Sequence, residues 1–321
     1  MNLLILSCGT RNKLVRYFKE NRDEIQKVVG TDCSPQAPAL YETDSYYIVP
    51  RMTAPNYLNI LLDICQKEQI DAVLPLQEDE LYLIACNREL FTSNGITPII
   101  SDAETIELCR DKYAFYKYLK EKGLPVLMTC SGYEDFKACY ERKEIAFPVF
   151  AKPCRGAGSI GINKVEHQEL LEMLCKYSEE DMIIQQFADG QEYGVDIYVD
   201  MISRKPTAIF SKKKLRMRAG ETEKSVSVKD EALFELIKKT VSALNLMGPI
   251  DMDVFCVEGK YYISEINPRF GGGYPHAYAC GVNFPAYIAN NIAGKENPVS
   301  IGDYEEGICM LKYTDLLTIR M

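Results

Sequence analysis

The first hundred residues switch between a two-residue and a helical period again and again, and this constrains the fold more than any other feature. Asn2–Ser7 reads as a strand, Arg11–Asn21 as a helix, and Lys27–Asp32 and Tyr46–Val49 as strands. Pro55–Glu68 follows as a helix, Ala72–Leu76 as a strand, Leu81–Thr92 as a helix and Thr97–Ile100 as a closing strand. Strands separated by helices lie parallel, in one sheet covered on both faces. Cys8-Gly9-Thr10-Arg11 follows the first strand where a dinucleotide-binding fold carries its glycine loop. A single glycine does not meet that loop's spacing, which argues against a nicotinamide enzyme.

Beyond residue 100 the pattern changes. Ser101-Asp102-Ala103-Glu104-Thr105 carries helix-starting residues, and the segment after it reads as helical up to Lys122-Gly123-Leu124-Pro125. The expected boundary lies near residue 105, dividing an α/β unit (1–105) from an α+β unit (106–321). The second unit divides again into a smaller part (106–186) and a larger one (187–321). In the smaller part, Phe147–Lys152, Ile162–Val165 and Met182–Phe187 read as strands and Gln168–Tyr177 as a helix. In the larger, Glu192–Val199, Thr207–Lys214, Asp251–Val257 and Tyr261–Asn267 read as an antiparallel sheet. Among them Glu231–Leu244 is an amphipathic helix with Leu233, Leu236, Ile237, Val241 and Leu244 on its apolar face.

Composition narrows the function classes. The net charge of −9 argues against a general nucleic-acid or anionic-membrane surface. No apolar run approaches the roughly 18 residues of a membrane span, and Met1–Ser7 lacks the features of a signal peptide. The 12 cysteines contain no C-x-x-C pair and there are only two histidines, His167 and His276, so a zinc site of ordinary spacing is not expected. Unpaired, reduced thiols in the cytoplasm are the simplest reading.

Two segments carry the chemistry. Tyr261–Asn267 alternates as a strand, and Glu265, Asn267 and Arg269 fall on one face ahead of Gly271–Gly273. A carboxylate, an amide oxygen and a guanidinium suit Mg²⁺ and a polyphosphate, since Mg²⁺ shares hard oxygen ligands between protein and phosphate. The alternative is a strand with a polar, solvated face. Pro249–Lys260 reads as the partner strand, with the turn near Gly259. A three-residue loop ending at Gly259 pairs position 251 with 265 and 253 with 263, which puts Asp251 and Asp253 on the face of Glu265. A two-residue loop turns them away. In the second segment, Phe147–Gly161, a strand ends at Lys152 and runs into a loop with Gly156, Gly158, Ser159 and Gly161. Such a loop lets backbone N–H groups approach phosphate oxygens beside a compact positive charge. A plain tight hairpin is the alternative.

Taken in order, Asp111-Lys112, Lys152 with its glycine loop, Gln185-Gln186-Phe187 with Glu192, Asp253, and Glu265-Ile266-Asn267-Pro268-Arg269 resemble the ATP-grasp superfamily, especially its carbamoyl-phosphate-synthase-like branch. The resemblance spans nearly the whole chain. It implies an N-terminal parallel α/β domain followed by two α+β subdomains, with antiparallel sheets, that clasp ATP. Lys112 and Lys152 would contact the phosphates, with Lys152 also near the adenine. Gly156–Gly161 would be a flap over them. Gln185, Gln186 and the Phe187 backbone would line the adenine site, and Glu192 would meet the ribose. Many members carry glutamate where Gln185 stands, and an amide oxygen can still accept from the adenine amino group. Asp253, Glu265 and Asn267 would hold Mg²⁺, with Mn²⁺ as a substitute, and Arg269 would meet the transferring phosphate.

The implied activity joins a small carboxylic acid to an amine with release of ADP. Carbamoyl-phosphate-synthase-like activity, phosphorylation of a hydroxyl and non-catalytic ATP binding are the alternatives, and homodimers are frequent among similar proteins. Arg216 and Arg218, in Leu215–Lys224 between strands, would clamp a carboxylate; the alternative is a solvated basic loop. His276 is a candidate general base or a satisfied structural histidine. Cys154 reads as a packing residue and His167 as a surface one.

Overall fold

The computed structural model describes residues 1–156 and 161–319. Its first unit is a five-stranded parallel sheet in the order β3-β2-β1-β4-β5. The strands are β1 (Asn2–Leu6), β2 (Lys27–Asp32), β3 (Ser45–Ile48), β4 (Ala72–Pro75) and β5 (Thr97–Pro98). Helices α1 (Asn12–Glu20), α2 (Tyr57–Glu68), α3 (Glu78–Cys86) and α4 (Arg88–Thr92) cover it. Leu3–Leu6 of β1 and all of β4 are buried apolar runs, as expected of strands covered on both faces. The expected helix 81–92 is two helices that meet at Asn87, whose side chain bonds back to the Leu83 carbonyl. The first starts at Glu78 because Gln77 accepts from the Glu80 N–H.

Two helices follow instead of the single one expected, α5 (Ala103–Arg110) and α6 (Lys112–Glu121). The break is at Asp111, whose carboxylate accepts from the N–H groups of Tyr113 and Ala114. Asp111 thus starts a new helix rather than continuing the old one. The smaller lobe holds a four-stranded antiparallel sheet, β6-β9-β7-β8. It is built from β6 (Thr129–Ser131), α7 (Gly132–Glu141), β7 (Val149–Pro153), β8 (Asn163–Val165), α8 (Gln168–Tyr177) and β9 (Met182–Gln186).

The larger lobe is a six-stranded sheet, β14-β13-β10-β11-β12-β15. It runs through β10 (Gln191–Val199), β11 (Pro206–Arg218), β12 (Glu221–Val228), α9 (Glu231–Leu244), β13 (Gly248–Val257) and β14 (Lys260–Asn267), and ends with α10 (Tyr274–Ala279), α11 (Phe284–Ile292) and β15 (Cys309–Leu311). The basic stretch expected as a loop after residue 214 is instead the hairpin β11–β12. Ala219 and Gly220 both have positive φ (48° and 76°) and make the tight turn. One apolar core joins the α1 face of the parallel sheet to the large lobe, from Leu3 and Phe18 to Ile250, Ile266 and Phe284. A second lies under α2–α4. The small lobe has its own, around Phe136, Val149 and Ile184. No helix among the described residues is long and apolar enough to cross a membrane, and all twelve cysteines are free.

Candidate active site

The sheets of the two lobes face each other across a cleft of about 630 Å³. On the small-lobe side, β7 buries Lys152 and β9 buries Gln185, so that Lys152 Nζ donates to Gln185 Oε1 at 2.9 Å. Gln185 Nε2 in turn donates to Thr129 Oγ1 at 3.1 Å, which fixes the amide with its oxygen toward the lysine. Burial pulls the Lys152 ammonium down to about 8; Glu265 opposes the shift and Lys112 adds to it. Lys112, in the first turn of α6, lines the same cleft and donates to the Gly156 carbonyl at 2.7 Å. Gly158 and Ser159 lie outside the described residues. Gly161 has φ +73°, and a Cβ there would press on the Pro153 ring at 3.1 Å. Gln186 is exposed and its N–H bonds the Met128 carbonyl at 2.8 Å, while Phe187 packs on Phe150 with ring centroids 5.4 Å apart.

On the large-lobe side, the hairpin reaches the expected result by another route. The turn is two residues, Glu258 and Gly259 at φ 49° and 76°, with Val257 paired to Lys260. That register alone would aim the aspartates away from Glu265. A bulge at Ser264 shifts it by one, so Asp253 pairs with Glu265 and Asp251 with Asn267, not 253 with 263 and 251 with 265. Ile263 and Ile266, three apart, both enter the core for the same reason. The expected pairing is corrected, and the acidic face survives.

That face is held by cations. Lys214 Nζ lies 2.7 Å from Glu192 Oε1 and 2.6 Å from Asp253 Oδ1, the second contact being an ion pair without hydrogen-bond alignment. Burial opposes the Lys214 charge, but Asp253 and Glu192 outweigh it and its pKa stands raised. Burial pushes Asp253 up to about 7, with Asp251, Glu192 and Glu265 adding to the shift against Lys214. Asn267 Nδ2 donates to Glu265 Oε1 at 3.0 Å. Arg269 spans the units, 3.0 Å from Glu78 at the start of α3 and 3.4 Å from Asp251. A divalent cation fits here on donor chemistry: directly paired carboxylates, an amide oxygen, and an acid whose ionised form is destabilised by its neighbours. No group of three or more His, Cys, Asp or Glu side chains among the described residues forms a ready metal cage.

Several cleft residues were not read from the sequence. Lys212 and Lys214 lie on the strand expected over Thr207–Lys214, where no site role was read for them, and both are buried. Lys212 pairs with the buried Asp196, and both lysines line the cleft. The two-residue alternation Lys212/Lys214 along a strand was the available signal. Arg11, considered only as part of an incomplete glycine loop, also enters the cleft. Gly272 and Gly273 are needed for close approach: a Cβ would stand 2.9 Å from the Glu221 carboxylate and 2.8 Å from Lys212 Nζ. Arg216 and Arg218 share an ion-pair partner, Glu223, at 2.9 and 3.4 Å. Arg218 lines the cleft and Arg216 does not. His276 is 1% exposed, between Ser225 Oγ (2.8 Å) and the Ile308 carbonyl (3.0 Å), and burial pulls it down to about 4. This is a structural histidine. Cys154 Sγ contacts Asp111 at 3.3 Å.

The family described as the ATP-grasp domain matches residues 109–273, about half of the chain. The chain belongs to the ATP-grasp family. Its first unit, residues 3–99, matches the family described as the PylC-like N-terminal domain. Among characterised sequences, this ATP-grasp chain is 23% identical over 249 residues to the carbamoyl phosphate synthase arginine-specific large chain of Bacillus subtilis (strain 168), covering 72% of the present chain. It spans only 23% of that protein's length. Among solved structures it resembles the biotin carboxylase domain of Hydrogenobacter thermophilus 2-oxoglutarate carboxylase, seen as a dimer with MgADP, ADP and bicarbonate. The TM-score is 0.75 and the identity 19%, over 96% of this chain and 73% of that one. The L-amino acid ligase of Bacillus licheniformis gives a TM-score of 0.70 at 21% identity, over 93% and 75%. These likenesses share the fold and do not single out the carbamoyl-phosphate-synthase branch.

Proposed function

We propose that this ATP-grasp protein is an Mg²⁺- and ATP-dependent ligase that activates a small carboxylic acid as an acyl phosphate and joins it to an amine. The observation that carries the reading is the pairing of Asp253 with Glu265 on the large lobe opposite buried Lys152 on the small one. Lys152 and Lys112 are the phosphate contacts. Gln185, with the Gln186 and Phe187 backbone, lines the adenine site and Glu192 meets the ribose. Gly156, which lines the cleft, borders the phosphates. Asp253, Glu265 and Asn267 would hold Mg²⁺, which when bound neutralises phosphate charge. Arg269 faces the γ-phosphate from just beyond the end of β14, and Arg218, with Arg216 behind it, borders the acid.

The chemistry is electrostatic. A carboxylate oxygen attacks the γ-phosphorus and ADP leaves; the lysines and Arg269 offset the charge on the phosphoryl oxygens in a cleft that excludes water. The amine nitrogen then attacks the acyl carbon and phosphate leaves. A lobe closed over the cleft protects the acyl phosphate from hydrolysis. Residues 1–105, 106–186 and 187–321 are the three working parts on this reading, acting in the cytoplasm.

Incubation with MgATP, pooled carboxylic acids and hydroxylamine should yield ADP and a hydroxamate. A stable phosphoester would instead indicate hydroxyl phosphorylation, and ATP binding without ADP release a regulator. Lys152→Ala and Glu265→Ala should each abolish turnover while circular dichroism stays unchanged; full activity in either would remove the assignment.

A further inference from the structure

The cleft has a direction along β13. Lys152 feels the charges of Asp253, Glu265 and Lys112, and Lys214 binds Asp253 and Glu192. One pleat along, at Asp251, the neighbours are Arg269 and Arg11. A triphosphate over Asp253 and Glu265 therefore leaves the Asp251 end free for another molecule. Arg11 enters that end from the loop after β1 and is the least satisfied cation in it. Its ionic contact among the described residues is Glu221, 3.8 Å away and beyond hydrogen-bond reach. Glu221 itself is taken up by Lys312 at 3.0 Å. Burial lowers the Arg11 pKa, with Glu221 only partly opposing the shift. Arg269, by contrast, is held by both Glu78 and Asp251. Behind Arg11 the packing is closed: a Cβ on Gly272 would stand 3.0 Å from Nη1 and 2.9 Å from the Glu221 carboxylate, so the open side of the guanidinium is the one that lines the cleft.

We propose that Arg11 is the anchor for the carboxylate of the acid substrate, received bidentately on the side of its guanidinium that lines the cleft. A planar fork of N–H donors in a partly desolvated pocket matches a carboxylate, and a charged ligand recovers the hydrogen bonds that Arg11 now lacks. The acid is then held by the N-terminal unit while its phosphoryl donor is held by the two lobes. Arg216 and Arg218, already neutralised by Glu223, are left at the rim. This assignment rests on the ligase reading but is tested apart from it.

Phenylglyoxal, which adds to guanidinium groups, would be applied in the presence of MgAMP-PNP, and the Arg11 adduct followed by peptide mass spectrometry. Probes are acetate, L-alanine and succinate, each against its amide. Protection of Arg11 by at least one acid and not by its amide is expected. Protection by MgAMP-PNP alone, or by none of the acids, overturns the assignment. In the hydroxamate assay, Arg11→Lys should raise the KM of any active acid by about 30-fold, as loss of a bidentate charged contact implies, and leave that of MgATP within about threefold. Gly272→Ala, at a backbone conformation open to alanine, should raise the same KM by pushing Arg11 and Glu221 out of place, even if the Arg11 variant folds poorly. An unchanged acid KM in both variants overturns the proposal. Failure to form any hydroxamate while acids still protect Arg11 would instead fault the ligase reading and keep this one.

Discussion

Lys152 keeps an ammonium group in a place that disfavours it, and this gives the site a pH signature. Its folded-state pKa of about 8 lies below the ordinary 10.5. Between those values the unfolded chain holds a proton that the folded one does not. Stability should therefore rise with pH across that window, by at most about 3 kcal/mol, and show no pH dependence from this group below about pH 8, where its burial cost is fully present. Phosphate binding needs the charged form and should run the other way. The calorimetric Kd for MgATP should weaken about tenfold per pH unit above about 8. Lys152→Ala should bind poorly with no such limb; a limb that survives the substitution belongs to another group. His276 acts at the opposite end. Its pKa of about 4 against 6.5 means stability present at neutral pH is lost as pH falls from 6.5 through 4, by about 3 kcal/mol. Urea titrations at pH 7.5 and 4.5 should show the loss. Lys152, Glu265 and Asn267 were legible because each stands out on a strand beside glycines. Lys212 and Arg11 were not, because a charge is read as solvated until the sheet that buries it is known.

Among the elements, the β13–β14 hairpin shows most plainly how pattern and geometry part. A strict two-residue period puts Ile263 with Glu265, yet one is in the core and the other in the cleft. The bulge is what lets a favourable two-residue turn coexist with an acidic face toward the cleft. The spacing of Ile263 and Ile266 was the clue to it. Charge again hid the hairpin of β11 and β12, since Arg216, Arg218 and Lys224 resemble a loop. Helix starts were easier to misplace, because the capping side chain and not the apolar stripe decides them. Asp111 is such a residue, and Asp111→Ala should cost about 1 kcal/mol in denaturant unfolding. It should also weaken MgATP binding, because the cap sets the first turn that carries Lys112. Asp230, which accepts from Ala232 and Leu233 and from the Tyr261 hydroxyl, is a cap away from the cleft. Asp230→Ala should cost about 1–2 kcal/mol without changing the KM for ATP.

At the scale of the molecule, the cores do not follow the division by sequence. The parallel sheet and the large lobe are joined through shared apolar residues and through hydrogen bonds from Ser101 to Met247 and Thr105 to Leu244, and α6 joins the same body through Phe115, Leu119 and the Tyr118 bond to the Ala243 carbonyl. The four-stranded sheet of the small lobe has its own core and meets the rest mainly through polar contacts, among them Arg155 to Glu107 at 2.6 Å and Lys112 N–H to the Cys154 carbonyl at 3.1 Å. It is thus the part free to move when ATP binds. MgAMP-PNP should slow amide exchange in β7 and β9 far more than in β1 or β4; equal protection throughout would mean no lobe closure. The shared core also bears on recombination. Residues 3–99 and 109–273 match two different families, yet their inner faces pack against each other in one core. A chimera that takes its opening hundred residues from a cousin would bring mismatched shapes to that contact, and should assemble only after both halves are recut.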